Sequence, residues 1–147
     1  MLTCHDVARY FLTLMSEENG DLISNLKLQK LLYYAQGSSL ALWGNPLFSE
    51  KIEAWLHGPV IPSLYYEYEQ YNSKAIPRPQ DVNFDCYEDD VQALLNEVYS
   101  VFGQYSAWKL ANMVHEEPPW QEVYESQPGG IISLYSMKKY FEAHIVQ

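Results

Sequence analysis

Leu26-Lys27-Leu28-Gln29-Lys30-Leu31-Leu32-Tyr33-Tyr34-Ala35-Gln36-Gly37, followed by Asn45-Pro46-Leu47-Phe48 and Glu53-Ala54-Trp55-Leu56-His57-Gly58-Pro59-Val60, is the stretch that decides the fold. Leu28, Leu31, Leu32, Ala35, Ser39 and Leu42 recur at helical spacing and form one apolar stripe, which a helix must bury against a partner. The spacing predicts a core helix. Gly44-Asn45-Pro46 ends it, because proline cannot continue the hydrogen-bonded backbone and Gly or Asn tolerates a left-handed cap. Two short extended pieces fit the residues after this stop, around Leu47-Phe48 and from Ile52 to Trp55, with Ser49-Glu50-Lys51 as the turn between them. A small β-hairpin is therefore expected near residues 47–55. His57-Gly58-Pro59 makes a sharp corner, and Ile61-Pro62 places a second proline where a helix can begin.

Outward from this stretch the chain reads as helices with short connections and no internal repeat. Thr3 with Asp6 forms a capping-box pattern that opens a first helix, whose face carries Val7, Tyr10, Phe11, Leu14 and Met15 until Asn19-Gly20 ends it. A third helix runs from about Pro62 to Tyr71, and residues 72–85 read as a surface loop, the segment most free to move. Glu88, Asp89 and Asp90 suit the positive end of a fourth helix, in which Val91, Leu94, Leu95, Val98, Val101 and Phe102 keep helical spacing before Gly103. Ser106 caps a fifth helix with Ala107, Leu110, Ala111 and Val114 on its buried face, leaving Trp108 and His115 on another. Pro118-Pro119 breaks that helix, Trp120 to Tyr124 makes a short turn, and a last helix bears Leu134, Met137, Phe141 and Ile145. The expectation is a mainly α fold, a single-domain bundle spanning residues 1–147 with about six to seven helices and the small hairpin.

Composition narrows the function classes. A chain of 147 residues with 48% hydrophobic and 15% aromatic content is no disordered tail, and no apolar run approaches a membrane span. His5, Asp6 and Arg9 interrupt any secretory h-region, and two unspaced cysteines, Cys4 and Cys86, give no disulfide framework. A cytoplasmic protein with reduced thiols is expected. The formal net charge is −10, with 19 acidic against 9 basic side chains, so phosphate backbones are repelled on average and neither nucleic acid nor membrane is an expected partner. Lys27 with Lys30, and Lys138 with Lys139, read as solvated pairs before they read as anion sites.

Catalytic patterns are weak. His115-Glu116 opens like a zinc-protease motif, but the second histidine is required four residues after the first and position 119 is proline. No metal and no cofactor is predicted. His5, His57, His115 and His144 are scattered, no glycine-rich phosphate loop precedes a helix, and Glu88-Asp89-Asp90 and Glu116-Glu117 read as helix-end and solvated charge. Thirteen tyrosines and four tryptophans exceed what one small core hides, so some are expected to face outward as a binding surface or as scattered amphipathic side chains.

The Leu26 to Gly37 helix, Pro46-Leu47-Phe48, Ala54-Trp55-x-His57-Gly58-Pro59-Val60, and the later stretch from Leu110 to His115-Glu116-x-Pro118-x-Trp120 closely resemble the Panacea antitoxin domain, also called SocA-like or phage-associated GepA-like. The resemblance covers most of the chain. It implies an antitoxin of a type II toxin–antitoxin pair that is not an enzyme and neutralises a cognate protein toxin, encoded nearby, by direct protein–protein binding. Some relatives add a DNA-binding module before the domain, which this chain is expected to lack. One branch acts as a proteolytic adaptor to a cytoplasmic AAA+ protease, and that is the alternative mechanism; an uncharacterised hydrolase is the further one.

Motif density then marks the candidate site: Lys30, Trp55, His57, His115 and Trp120 as a partner-contact patch if their corners meet in space, with Gly58 and Pro59 as structural motif residues. Gly and Pro punctuate backbone so specifically that the structural reading is favoured for Gly58, Pro59, Trp55 and Trp120, while His57 and His115 stay open.

Overall fold

The computed structural model describes residues 1–16 and 22–144. They form α1 (Cys4–Leu14), α2 (Asn25–Trp43), β1 (Glu53–Trp55), β2 (Gly58–Val60), α3 (Pro62–Tyr68), α4 (Asp89–Phe102), α5 (Ala107–His115), α6 (Pro118–Ser126) and α7 (Leu134–His144), with 3-10 turns at Glu69–Tyr71 and Phe84–Cys86. The mainly α architecture with one small hairpin is as expected. Helix α2 is the axis, packed by α1, α3, α4, α5, α7 and β2, and fifteen of its nineteen residues are buried.

That degree of burial puts polar side chains inside. Several of them bond backbone groups of other segments. Gln36 accepts from the Leu47 N–H at 2.8 Å through Oε1 and donates through Nε2 to the Phe48 carbonyl at 2.9 Å. Ser39 donates to the Asn45 carbonyl at 2.7 Å, Gln29 accepts from the Ile61 N–H at 2.9 Å, and Asn25 donates to the Tyr65 carbonyl at 3.0 Å. Lys27 and Lys30, expected as solvated, are buried, with Nζ donating to Gly103 O at 2.6 Å and to Pro59 O at 3.3 Å. Residues 45–61 thus follow α2 partly on its side chains, which partner backbone groups that burial would otherwise leave unpaired.

This relocates the hairpin. Leu47-Phe48 is held by Gln36 and forms no strand; β1 pairs antiparallel with β2 from Glu53↔Val60 to Trp55↔Gly58, so the turn is Leu56-His57 instead of Ser49-Glu50-Lys51. The other edge of β1 is covered by residues 129–132, with Ala54 N–H to Gly130 O at 2.8 Å, Gly129 N–H to Ala54 O at 2.7 Å and Ile132 N–H to Ile52 O at 2.8 Å.

Helix ends follow their caps. Thr3 and Asp6 make the capping box, Gly44 takes φ 74° and donates to Leu40 O, and the Ser106 hydroxyl accepts from the Lys109 N–H. Helix α1 closes at Leu14, ahead of Asn19-Gly20, which lie outside the described residues, as does Ile145. Pro118 and Pro119 start a nine-residue helix instead of only ending one, since proline is tolerated where the first N–H groups have no partner. Leu42, Val101 and Leu134, expected in buried stripes, are 48, 40 and 41% exposed, each in the first or last turn of its helix. The loop after α3 is tied down: Ile76 is buried and donates its N–H to Ile23 O, and Arg78 reaches Thr13 O at 2.6 Å. Among the described residues no helix is long and apolar enough to cross a membrane.

Gly37 lets α2 and α7 approach closely: a Cβ there would collide with the Phe141 ring. Gly37→Ala is expected to lower the unfolding free energy by about 1–3 kcal/mol through overpacking, measured as a lower urea midpoint, and Phe141→Leu in the same background should recover part of it.

Candidate functional site

The hairpin tip is where the motif residues converge. Trp55-Leu56-His57-Gly58 turns the chain, and Gly58 adopts φ +117°, a backbone region that side chains rarely enter; a Cβ there also lies 2.7 Å from Lys30 Cε. Gly58 is therefore fixed twice over, by conformation and by the lysine beneath it. Lys30 rises from α2, fully buried, and donates to the Pro59 carbonyl. Burial pushes its ammonium down to about 7, and among the described residues it pairs with no carboxylate.

From the opposite side α5 and α6 close on the same turn. The Trp120 indole N–H donates to the Trp55 carbonyl at 2.8 Å, and His115 Nε2 meets the Leu56 carbonyl at 3.1 Å, which requires that nitrogen to carry the proton, since a carbonyl only accepts. His115 also lies against the Trp120 ring, centroids 4.5 Å apart, and Trp120 stacks on Tyr124 at 4.7 Å. The five residues named from the sequence thus gather at one turn but divide by depth. Lys30 and Trp120 are buried and hold the turn; Trp55 and His115 are half-buried; His57 is exposed.

What faces outward is apolar and aromatic. Leu56 is 61% exposed, Trp108 65% and Tyr66 61%. The His57 ring meets Trp108 edge to face at 5.9 Å, while Trp55 packs on Tyr65 at 5.1 Å and on Tyr66 at 6.4 Å. The result is a surface running from α5 across the hairpin tip to α3. Helical spacing puts Trp108 off the buried face of α5, and Tyr66 is one of four tyrosines too many for one side of α3; nothing local in the chain joins either to the tip.

Behind the tip sits Glu117, which its place in the sequence marks as solvated charge. It is buried instead and accepts from the Tyr33 hydroxyl at 2.9 Å and the Tyr34 hydroxyl at 2.7 Å, one on each carboxylate oxygen. Burial raises its carboxyl above the ordinary value, while the Tyr34 and Tyr33 hydrogen bonds and the nearby His144 pull the other way. Burial first, then the Glu117 charge, raises both tyrosines well above theirs. The cluster fixes the α5–α6 corner against α2, and so fixes His115 and Trp120 on the turn.

The model of the family described as antitoxin SocA-like, Panacea domain, matches residues 28–121, which run from α2 into α6 and contain Lys30, the hairpin, Trp108, His115 and Trp120. Antitoxin SocA of Caulobacter vibrioides (strain NA1000 / CB15N) is 32% identical over 123 residues, covering 76% of this chain; the chain spans 65% of that relative's length. No solved structure matches. A match that runs from the axial helix through the hairpin and α5 into the start of α6 shows that the chain belongs to the SocA-like antitoxin family built on the Panacea domain.

Proposed function

We propose that this protein is a cytoplasmic, non-enzymatic antitoxin of a type II pair, a single domain that neutralises a cognate protein toxin by binding it directly through the hairpin-tip surface. One observation carries the reading: Leu56 and His57 on the turn, with Trp108 of α5 and Tyr66 of α3 beside it, present apolar and aromatic area to solvent around a turn held by Lys30, Trp120 and His115. Exposed aromatic area on a pre-ordered element is what a protein interface uses for its central contacts, because little side-chain or loop entropy remains to be lost. The net charge of −10 supports a protein partner over nucleic acid.

Coexpression with the product of the adjacent reading frame tests it, reading growth and complex formation together in cells with and without the main AAA+ proteases. Rescue with a stable complex in both hosts is the expected result; rescue lost without the protease would replace direct neutralisation by adaptor action. Trp108→Ala is expected to weaken the complex roughly 30-fold, about 2 kcal/mol, with stability unchanged within about 0.5 kcal/mol, as for an exposed position. Full affinity in Trp108→Ala combined with Leu56→Ala would remove the tip from the interface.

A further inference from the structure

A second cluster lies at the start of α1, away from the hairpin tip. Cys4, His5 and Glu50 each offer one donor atom, and these atoms lie within 4.8 Å of one another. Three chain segments build the arrangement. The capping box of Thr3 and Asp6 sets the first turn of α1, Glu50 comes from the segment after α2 and accepts from the Cys4 N–H at 3.0 Å through Oε1, and α3 brings Ser63 to 3.8 Å from Cys4 Sγ. Around one ion with bonds of about 2.0–2.3 Å, tetrahedral donors sit roughly 3.6 Å apart, so side-chain movement of about 1 Å turns this cluster into a ligand set.

His5 is also oriented by an acidic neighbour from α3: its Nδ1 lies 2.6 Å from Glu67 Oε1, an ion pair at the edge of the cluster.

We propose that Cys4, His5 and Glu50 bind one divalent ion of the zinc class. The ion joins the first turn of α1 to the segment after α2, with Glu67 beside His5 and the Ser63 hydroxyl placed to donate to the Cys4 thiolate. Mixed sulfur, nitrogen and oxygen donors suit zinc or cobalt; calcium and magnesium take oxygen ligands. The role is that of a clamp, and it is independent of toxin binding.

Cobalt(II) is the probe, titrated into the folded Cys86→Ser protein so that the exposed second thiol cannot contribute. A near-ultraviolet thiolate-to-cobalt band that saturates at one equivalent, and that zinc(II) abolishes, is expected. Cys4→Ser should lose the band. Cys4 is a core residue, so His5→Gln and Glu50→Gln provide the second arm: each should raise the apparent dissociation constant at least tenfold while circular dichroism stays unchanged. The proposal is overturned by the absence of any such band in the folded Cys86→Ser protein, or by a band that both glutamine variants leave unaltered.

Discussion

Glu117→Ala is expected to lower the unfolding free energy by about 3 kcal/mol and Glu117→Gln by about 1 kcal/mol. The alanine leaves the Tyr33 and Tyr34 hydroxyls buried without their acceptor, a loss of about 1–3 kcal/mol for each, partly offset because a carboxylate no longer has to be buried. Glutamine keeps one acceptor oxygen, and its amide can donate to a hydroxyl, so most of the network survives. No helix cap is lost in either case, since Glu117 occupies the N-cap of α6 without a capping hydrogen bond. The charge leaves its own signature. The Glu117 carboxyl is raised above its ordinary value of 4.5, so the folded state keeps a proton that the unfolded chain has released, and stability falls as pH rises through the raised folded value. Chemical denaturation from pH 4 upward should show that decline in wild type and its absence in Glu117→Gln. Equal stability of Glu117→Ala and wild type would mean that the tyrosine hydroxyls find other partners.

Lys30→Met is expected to do the opposite and raise stability at pH 7 by about 2–4 kcal/mol. A fully buried amine with one carbonyl for a partner is charged in the unfolded chain, and folding must remove either the proton or the water around it. Methionine fills similar volume without that penalty. Between a folded value of about 7 and the ordinary value of 10.5 the unfolded state binds the extra proton, so wild-type stability should climb with pH by up to about 1.4 kcal/mol per unit. Denaturation at pH 7, 8 and 9 stays below tyrosine ionisation, and Lys30→Met should lack that climb across the range. A variant less stable than wild type, with the slope intact, would show that Lys30 is compensated in a way its surroundings do not reveal.

Half of α2 is legible in the sequence and half is not, for one reason. Leu28, Leu31, Leu32 and Ala35 are buried as their spacing predicts, and the caps at Thr3, Gly44 and Ser106 are where short-range chemistry puts them. Gln29, Lys30 and Gln36 look like a solvated face by the same periodicity, yet they are buried because each meets a backbone group delivered by a distant turn. Local pattern carries no record of such a partner. The hairpin sits later in the chain than expected on the same account: Leu47-Phe48 has strand character, but a side-chain amide takes up its backbone groups first. Motif density does single out residues that meet in space, since Lys30, Trp55, His57, His115 and Trp120 gather at one turn. It does not separate those that hold the turn from those that face outward, and it misses Glu117, whose tyrosine partners lie 83 and 84 positions away.

The side chains of α2 that hold residues 45–61 also imply an order of assembly. Their partners lie 6 positions away for Ser39, 11 and 12 for Gln36, 29 for Lys30 and 32 for Gln29, so the separations lengthen from the C-terminal end of the helix towards its start. Closing a loop loses more entropy as it grows. Each contact made shortens the free segment that the next must close, and the chain can lay itself back along a preformed helix in the manner of a zipper. Helix α2 is then the template of the fold as well as its axis, and the hairpin that carries the exposed surface is the last piece the zipper sets in place.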